Sequence, residues 1–327
     1  MAIHSRKTDM KIMNRILAAA FAASLAALPF TDVQAQAAAA PAAAKPAAKQ
    51  KTFATPEEAS AALVAAVRAK SVDDLLAVVG PGASSWLFSG DKVADTNDWT
   101  KFLAAYDAKN ALRKEGDKMV LDVGADGWPF PAPIVKRADK WAFDSAAGRE
   151  EIINRRVGRN ELDAIQTMLA IVDAQREYAA SDADRNGYAD YARRFGSSPG
   201  KKDGLYWPEE QGKASSPLGP LVAVAAAEGY KKEKTDKPQP YHGYQYRILT
   251  AQGKDAPGGT YDYLVGDKLL GGFAVVAWPA TYGTSGVMTF VVNHEGVVYE
   301  KDLGPQTGSM AMGMSRFNPD ATWKKAQ

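Results

Sequence analysis

A run of oxygen-bearing residues in "DADRNGYADYARRF" (residues 182–195) is the first stretch of the sequence that could do chemistry. Its spacing matches a calcium-binding loop, which takes oxygen ligands at its first, third, fifth and ninth positions and a backbone carbonyl at its seventh. Gly187 falls at the sixth position, where such a loop turns sharply. The predicted ligands for Ca2+ are Asp182, Asp184, Asn186, the carbonyl of Tyr188, and Asp190.

The twelfth position of the same loop departs from this pattern. A bidentate Glu closes a calcium loop there, but this sequence has Arg193, which removes two ligand oxygens and adds a positive charge. The loop is therefore open to two interpretations. One is a weak calcium site of the kind found in extracellular modules. The other is a helix C-terminus capped by Asn186 and Gly187, with solvated aspartates around it.

Residues that act as nucleophiles or bind transition metals are scarce. The chain has no cysteine and three histidines, of which His4 lies in the leader described below. Thiol catalysis and zinc sites built on cysteine are therefore excluded. His294 falls in the turn "NHEG" and is expected to be exposed, and Ser285 in "YGTSGV" lacks the G-x-S-x-G elbow of a serine hydrolase.

Aromatic residues in loops beside Pro and Gly form the remaining candidate site. Tyr and Trp bind well at partly wet surfaces because one end of the side chain is apolar and the other forms hydrogen bonds. They could form a platform for a peptide, a glycan or a protein of the cell envelope, or they could be ordinary core and rim residues. The residues concerned are Tyr206, Trp207, Tyr241, His242, Tyr244, Trp278 and Tyr282.

The elements that must position these residues follow an N-terminal export signal, which we assign to residues 1–35. A basic stretch precedes a short apolar run, Ile16–Leu28, and small residues then offer cleavage after Ala35 or Ala37. The apolar run is too short for a comfortable membrane span. We therefore expect a periplasmic or secreted protein with no membrane span once the signal is removed.

The segment after the signal, residues 36–51, is nearly all Ala, Pro and Lys, and we interpret it as a flexible linker because it cannot bury enough apolar surface to order itself. The whole chain has 40 basic and 38 acidic residues, and the leader accounts for the excess of basic ones. The remaining chain is formally neutral, so there is no electrostatic case for nucleic acid as a partner.

Residues 52–147 are predicted to form a small α+β domain. Thr55 and Glu58 give a capping box at the start of a first helix, a second helix covers residues 71–79, and a third covers residues 96–110. Alternation in "MVLDV", "PIVK" and "KWAF" then predicts a curved antiparallel sheet. This order of elements is similar in layout to the nuclear-transport-factor-2-like fold.

Residues 148–327 are predicted to form a second α+β domain, in which a long helix packs on an antiparallel meander. Apolar residues repeat at steps of three and four over residues 148–182, and Gly158 within that stretch indicates a kink or a close packing contact. A short buried helix is expected within residues 215–230. Three strand-like runs follow, the last with a hairpin turn at Asn293–Gly296. This layout resembles the globular part of a type IV pilin or pseudopilin.

Five motifs carry a more specific resemblance: "RRVGRNELDAIQTMLAIVDAQREYA", "DADRNGYADYARRF", "SSPGKKDGLYWP", "GYQYRIL" and "GGFAVVAWPATYGTSGVMTFVVNHEGVVYEKDLG". Together they resemble the bacterial exported proteins grouped as domain of unknown function 2950, over the whole chain from about Thr52. The resemblance implies a location in the cell envelope and the two-part architecture above. It implies no settled activity.

The function must therefore be argued from residues. We expect a non-catalytic binding or structural module of the cell envelope, with Ca2+ as the one cofactor that the sequence suggests. The alternative is an envelope hydrolase that uses carboxylates in a cleft between the two domains. A deep cleft with two facing acidic groups, or an acid beside His242, would favour the hydrolase, and a shallow aromatic surface without convergent titratable groups would favour the binding module.

Overall fold

The computed structural model describes residues 49–209, 215–231 and 239–326. The assigned export signal and most of the linker lie outside these ranges. The described residues belong to one compact unit, Ala47–Gln327, which contains two hydrophobic clusters. The first cluster is built mainly from residues before 150 and the second mainly from residues after 160. The division into domains 52–147 and 148–327 stays a prediction.

The chain begins with short helices whose caps are set by the sequence. Thr55 accepts the amide of Glu58 at 3.2 Å, and the Glu58 carboxylate accepts the amide of Ala54 at 2.9 Å, so the predicted capping box closes one residue earlier than usual. Ser71 caps the second helix. The elements are α1 (Pro56–Arg68), α2 (Val72–Val79), a 3-10 turn (Pro81–Ala83), α3 (Ser84–Leu87) and α4 (Lys92–Ala108).

Helix α4 differs from its predicted range of 96–110. Its true N-cap is Asp91, whose carboxylate accepts the amides of Val93 and Ala94, each at 3.1 Å, so the helix begins a turn earlier. At its other end Lys109 is fully extended and leads directly into a strand. The prediction followed the apolar residues and missed the cap.

The first sheet is antiparallel and packs under these helices. Its strands are ordered β1-β2-β4-β5, with the short β3 paired to one end of β2. The hairpin predicted from "PIVK" and "KWAF" is confirmed, but β1 was not predicted, because nearly all its side chains are exposed and carry no apolar alternation. The strands are β1 (Asn110–Glu115), β2 (Lys118–Val123), β3 (Trp128–Pro129), β4 (Ile134–Arg137) and β5 (Lys140–Phe143).

The predicted spine helix is confirmed as α5 (Ser145–Ser181), which runs unbroken for 37 residues. The Asp144 carboxylate caps it by accepting the amides of Ala146 and Ala147, each at 3.2 Å. Its first turns pack against the first hydrophobic cluster through Ile152 and Ile153, and its later turns belong to the second cluster. One helix therefore serves both cores.

The second sheet confirms the predicted meander. Its strands pair antiparallel in chain order. Both α5 and the short α7 (Thr307–Gly313) contact β11 (Ala274–Pro279), whose side chains are all buried. The strands are β6 (Tyr244–Leu249), β11 (Ala274–Pro279), β12 (Met288–Asn293), β13 (Tyr299–Asp302) and β14 (Lys324–Lys325). Between β6 and β11 lie two small antiparallel pairs, β7 (Ala251–Gln252) with β8 (Tyr261–Asp262) and β9 (Leu264–Val265) with β10 (Lys268–Leu269).

Two predicted details of this half were wrong. The short helix α6 (Gly219–Ala227) is largely exposed rather than buried, and Val224 in it is 53 % exposed. His294 is half-buried rather than exposed, because its ring packs edge-on against Tyr263 and Phe273.

Gly158 was predicted to mark a kink or a close packing contact, and it does not make the contact. A Cβ there would meet open space, whereas a Cβ on Gly148 of the same helix would lie 2.8 Å from the backbone of Ala132. The close approach of α5 to the segment before β4 thus occurs at Gly148.

These two glycines give a matched prediction. Ala is the better helix former, so Gly158→Ala should raise the free energy of unfolding by up to about 1 kcal/mol. Gly148→Ala should instead lower it by about 1–3 kcal/mol, because the added methyl group overpacks against a backbone that cannot move aside easily. Urea denaturation of both variants measures the difference. Equal effects would show that α5 does not approach Ala132 this closely.

Candidate functional site

A cavity of about 420 Å³, partly open to solvent, is formed at the first hydrophobic cluster. Its volume is in the range of small-molecule binding sites. Helices α1 to α4, strands β2 and β3, and the first half of α5 all contribute to its wall. The lining residues are Leu63, Val67, Leu75, Trp86, Leu87, Asp95, Asp98, Trp99, Lys101, Phe102, Ala105, Val123, Trp128, Phe130, Pro131, Ile152, Arg155, Arg156 and Arg159.

Most of this wall is apolar and much of it aromatic. Phe102 of α4 and Phe130 pack against each other with ring centroids 5.5 Å apart, and three tryptophans lie around them in the lining. The helices before β1 supply aliphatic residues from their buried faces, as their helical periodicity predicts. Such a wall favours the apolar body of a ligand, which would lose contact with water on entering.

The charged part of the wall comes from α4 and α5, and α5 presents three arginines. Arg155 forms an ion pair with Glu151 at 2.6 Å and lies over the ring of Trp128. Arg159 forms a two-pronged contact with Asp98 of α4 at 2.9 and 3.2 Å. Two of the three guanidinium groups therefore have partners of opposite charge.

Arg156 is the exception. Its side chain is only 9 % exposed, it forms no ion pair or hydrogen bond within the described part of the chain, and its Nη1 is completely buried. Burial lowers the pKa of its guanidinium, and the negative charges of Asp95 and Asp98 partly offset this effect. A buried, unpaired guanidinium is costly to the free protein, so this position calls for an explanation.

The nearest buried acid does not supply that partner. Asp95 of α4 accepts the amide of Ser89 at 3.1 Å and the Ser89 hydroxyl at 2.7 Å. Burial raises the pKa of this carboxyl, and the Ser89 hydrogen bonds act in the opposite direction. Asp95 is therefore held by Ser89, and Arg156 acts on it only at longer range.

A second donor in the same wall also lacks a partner. Trp86 of α3 is completely buried, and its Nε1 forms no hydrogen bond to any described residue. An indole N–H can only donate. Two residues of the lining, Trp86 and Arg156, thus each carry a buried donor for which the described chain provides no acceptor.

A different group of polar residues surrounds His242, which the sequence singled out. Its Nδ1 lies 3.2 Å from a carboxylate oxygen of Asp163 on α5, and its Nε2 lies 3.2 Å from one of Glu228 after α6. These distances suit ion pairs. The imidazole is not oriented to donate a hydrogen bond to Glu228. The buried Oε2 of Glu228 therefore has no hydrogen-bond partner among the described residues.

The backbone at His242 is strained. Its φ of +50° lies in the left-handed region, which costs a non-glycine residue free energy. Tyr241 packs edge-on against the imidazole with centroids 4.1 Å apart. Burial, together with Glu228 and Asp163, raises the pKa of Tyr241 to about 12. A neighbouring hollow of about 260 Å³ is lined by Tyr230 and Tyr241 but not by His242.

Asp91 connects this group to the N-terminal helices. While its Oδ1 caps α4, its Oδ2 accepts the Tyr230 hydroxyl at 2.8 Å and the Gly243 amide at 3.0 Å. The Tyr230 hydroxyl in turn accepts the amide of His242 at 3.2 Å. Burial and the adjacent Asp91 both raise the pKa of Tyr230. One buried carboxylate therefore joins α4 to the turn before β6.

The predicted calcium loop begins directly after α5. Its first residue, Asp182, caps the helix in a left-handed conformation. Asp182 accepts the amides of Asn186 and Gly187, and the Asn186 side-chain amide donates to Asp184 at 2.7 Å and Asp190 at 2.9 Å. Tyr188 donates its amide to Asn186 and is exposed. Across the described ranges, no three His, Cys, Asp or Glu side chains are placed to hold one metal ion. The calcium site stays a prediction.

The predicted aromatic surface is divided between core and exterior. Tyr244 is completely buried, and Trp278 and Trp207 are nearly so, all within the second hydrophobic cluster. Tyr206, Tyr241, His242 and Tyr282 are half-buried, and the Tyr282 hydroxyl donates to Asp302 at 3.1 Å. Only these four have the exposure that a ligand platform needs, and their role stays a prediction. Ser285, excluded above as a nucleophile, is buried with its hydroxyl donating to the Thr281 carbonyl.

The cavity and Arg156 were not predicted as a site. A signal was present, because Arg156 follows Ile152 by four residues and so continues the buried stripe of α5. The sequence could not show which of the three arginines lacks a partner, since Asp98 comes from a distant helix.

Comparison with known proteins agrees with the family suggested by the motifs. Residues 50–326 match the family described as "Protein of unknown function (DUF2950)". No curated protein and no solved structure matches the chain. The likenesses in layout to pilins and to the nuclear-transport-factor-2-like fold are therefore not shown. No helix in the described ranges has the length and apolar character to cross a membrane. Because the match covers most of the chain, the protein belongs to the DUF2950 family.

Proposed function

We propose that the protein is an exported, non-catalytic binding module that takes a small molecule with an apolar body into the cavity of its first hydrophobic cluster. The cavity itself carries the proposal, since it offers about 420 Å³ behind a largely apolar and aromatic wall. Its location in the periplasm or outside the cell rests on the signal assigned to residues 1–35.

Filling the cavity should weaken binding. Ala105 of α4 lines the cavity, and the neighbouring Ala104 is exposed on the same helix. Ala105→Phe places a ring where two or more methylene groups of a ligand would lie, so 1-decanol should bind at least about tenfold more weakly. Ala104→Phe should bind it like the wild type. Titration calorimetry gives the dissociation constants, and the fluorescence of the three cavity tryptophans gives an independent signal.

The control for this experiment is the stability of the two variants. Thermal melts followed by circular dichroism should show both folded at the temperature of the titration. Equal binding of decanol by wild type and a folded Ala105→Phe variant would overturn the proposed function, and so would the absence of binding to the wild type.

The group around His242 favours a second candidate, an envelope hydrolase. An imidazole between Asp163 and Glu228 is an arrangement that can accept and donate protons, and strained residues cluster at functional sites. The hydrolase is the second candidate because His242 does not line the adjacent hollow. Turnover of chromogenic ester, peptide or glycoside substrates that His242→Gln abolishes, with the fold intact, would move this candidate to first place.

Calcium at the loop after α5 remains a separate expectation, which would brace the loop rather than act in binding. The Asp184 and Asp190 carboxylates both accept from the Asn186 side-chain amide, which a bound cation would have to displace. Arg193 is turned to the Asp267 carbonyl at 2.8 Å. Affinity would be weak, near the millimolar range of extracellular modules. Identical melting curves in EDTA and in millimolar calcium, for wild type and for Asp184→Ala, would reject it.

A further inference from the structure

The unpaired guanidinium of Arg156 carries information about the ligand. A buried charge is normally paired, because taking it out of water without a partner is unfavourable. Arg155 and Arg159, one and three residues away on α5, follow this rule, and both are more exposed than Arg156. Arg156, the most buried of the three arginines, is therefore the one without an anionic partner among the described residues.

None of the other charged groups of the wall forms an ion pair with Arg156. The carboxylate of Asp98 is engaged by both arms of Arg159, and that of Asp95 is engaged by Ser89. The remaining charged lining residues, Lys101 and Arg155, are cationic. Counting every charged side chain of the lining, four are positive and two are negative. The cavity is therefore complementary to an anion.

Trp86 adds a second, independent observation. Its buried Nε1 is a donor without an acceptor, and hydrogen bonds to ionised acceptors are stronger than neutral ones. A carboxylate has two oxygens that together can accept from more than one donor. A carboxylate could thus satisfy donors on both Arg156 and Trp86, while the aromatic and aliphatic wall covers the rest of the molecule.

We propose that the ligand of this cavity is an amphiphilic monocarboxylate, a molecule with one carboxylate held by Arg156 and Trp86 and an apolar body held by the rest of the wall. This inference rests on the proposed function, because it names the chemical class of the same ligand. It assigns Arg156 and Trp86 as residues that determine specificity.

The test compares two probes with the same apolar chain, decanoate and 1-decanol, by titration calorimetry at one pH and ionic strength. Wild type should bind decanoate at least about tenfold more tightly than decanol, the gain expected from a charge-assisted hydrogen bond in a buried site. Arg156→Met should lose that preference and bind the two probes with similar affinity. Trp86→Phe, which removes the Nε1 donor and retains the ring, should lose part of it.

The control variant is Arg149→Met, at an exposed arginine of the same helix outside the cavity lining, and it should keep the wild-type preference. Equal affinities of wild type for the two probes, or an unchanged preference in Arg156→Met, would overturn the inference and leave the proposed function standing. If neither probe binds to the wild type, the proposed function and the inference both fail.

Discussion

Replacing Arg156 by Met should make the ligand-free protein more stable, by about 1–3 kcal/mol in the free energy of unfolding. The substitution removes a buried guanidinium that has no partner in the described chain and leaves an apolar side chain of similar length. The lost attraction to Asp95 and Asp98 is the opposing effect, and it is small because neither forms an ion pair with Arg156. Most substitutions of buried residues have the opposite sign.

Urea denaturation measures this effect, and the m-value of the variant should equal that of the wild type. Arg149→Met, at an exposed position of the same helix, should change stability by no more than about 0.5 kcal/mol. A loss of stability in Arg156→Met would mean that the guanidinium is satisfied in the free protein. A gain would fit a residue kept for binding at the expense of stability, a frequent property of functional sites.

Replacing Asp91 by Ala should be strongly destabilising, by about 3–5 kcal/mol. The carboxylate is 1 % exposed and caps α4 with one oxygen while the other accepts from Tyr230 and Gly243. Its removal loses the cap and leaves a buried hydroxyl and a buried amide without an acceptor. These groups join the N-terminal helices to the second sheet, so the loss affects both halves of the described chain.

Two milder variants separate the two roles of Asp91. Asp91→Asn keeps one acceptor for the cap but supplies only an NH2 group to Tyr230 and Gly243, and it should cost about half as much as Asp91→Ala. Tyr230→Phe removes a single hydrogen bond and should cost about 1 kcal/mol. The same denaturation experiments measure all three. If Asp91→Ala were no more harmful than Tyr230→Phe, Asp91 would not hold these elements together.

Elements with strong local signals could be predicted from the sequence. The stripe of apolar residues on α5 and the turn tetrad at Asn293–Gly296 depend only on neighbouring residues, and both are confirmed. Strand β1 lacks such a signal because it is an exposed edge, and β7 to β10 are two-residue pairs that exist only through tertiary contacts. Helix α6 has a buried-helix composition, yet it lies at the surface.

The candidate site was less predictable for a physical reason. Whether a buried charge is paired depends on residues far away in the chain, as with Arg159 and Asp98, and a sequence does not show such pairs. The same holds for His242, whose neighbour Asp163 lies on α5 and whose neighbour Glu228 follows α6. The aromatic residues were named for their type and for the Pro and Gly beside them, which does not show burial, and Tyr244 and Trp278 are core residues.

The most direct measurement is a crystal structure of the protein grown with decanoate. We expect electron density for the chain in the cavity of the first hydrophobic cluster, with its carboxylate within hydrogen-bond distance of the Arg156 guanidinium. Decanoate bound only elsewhere on the molecule, or an Arg156 guanidinium engaged by a protein carboxylate in a cavity that excludes decanoate, would contradict this account.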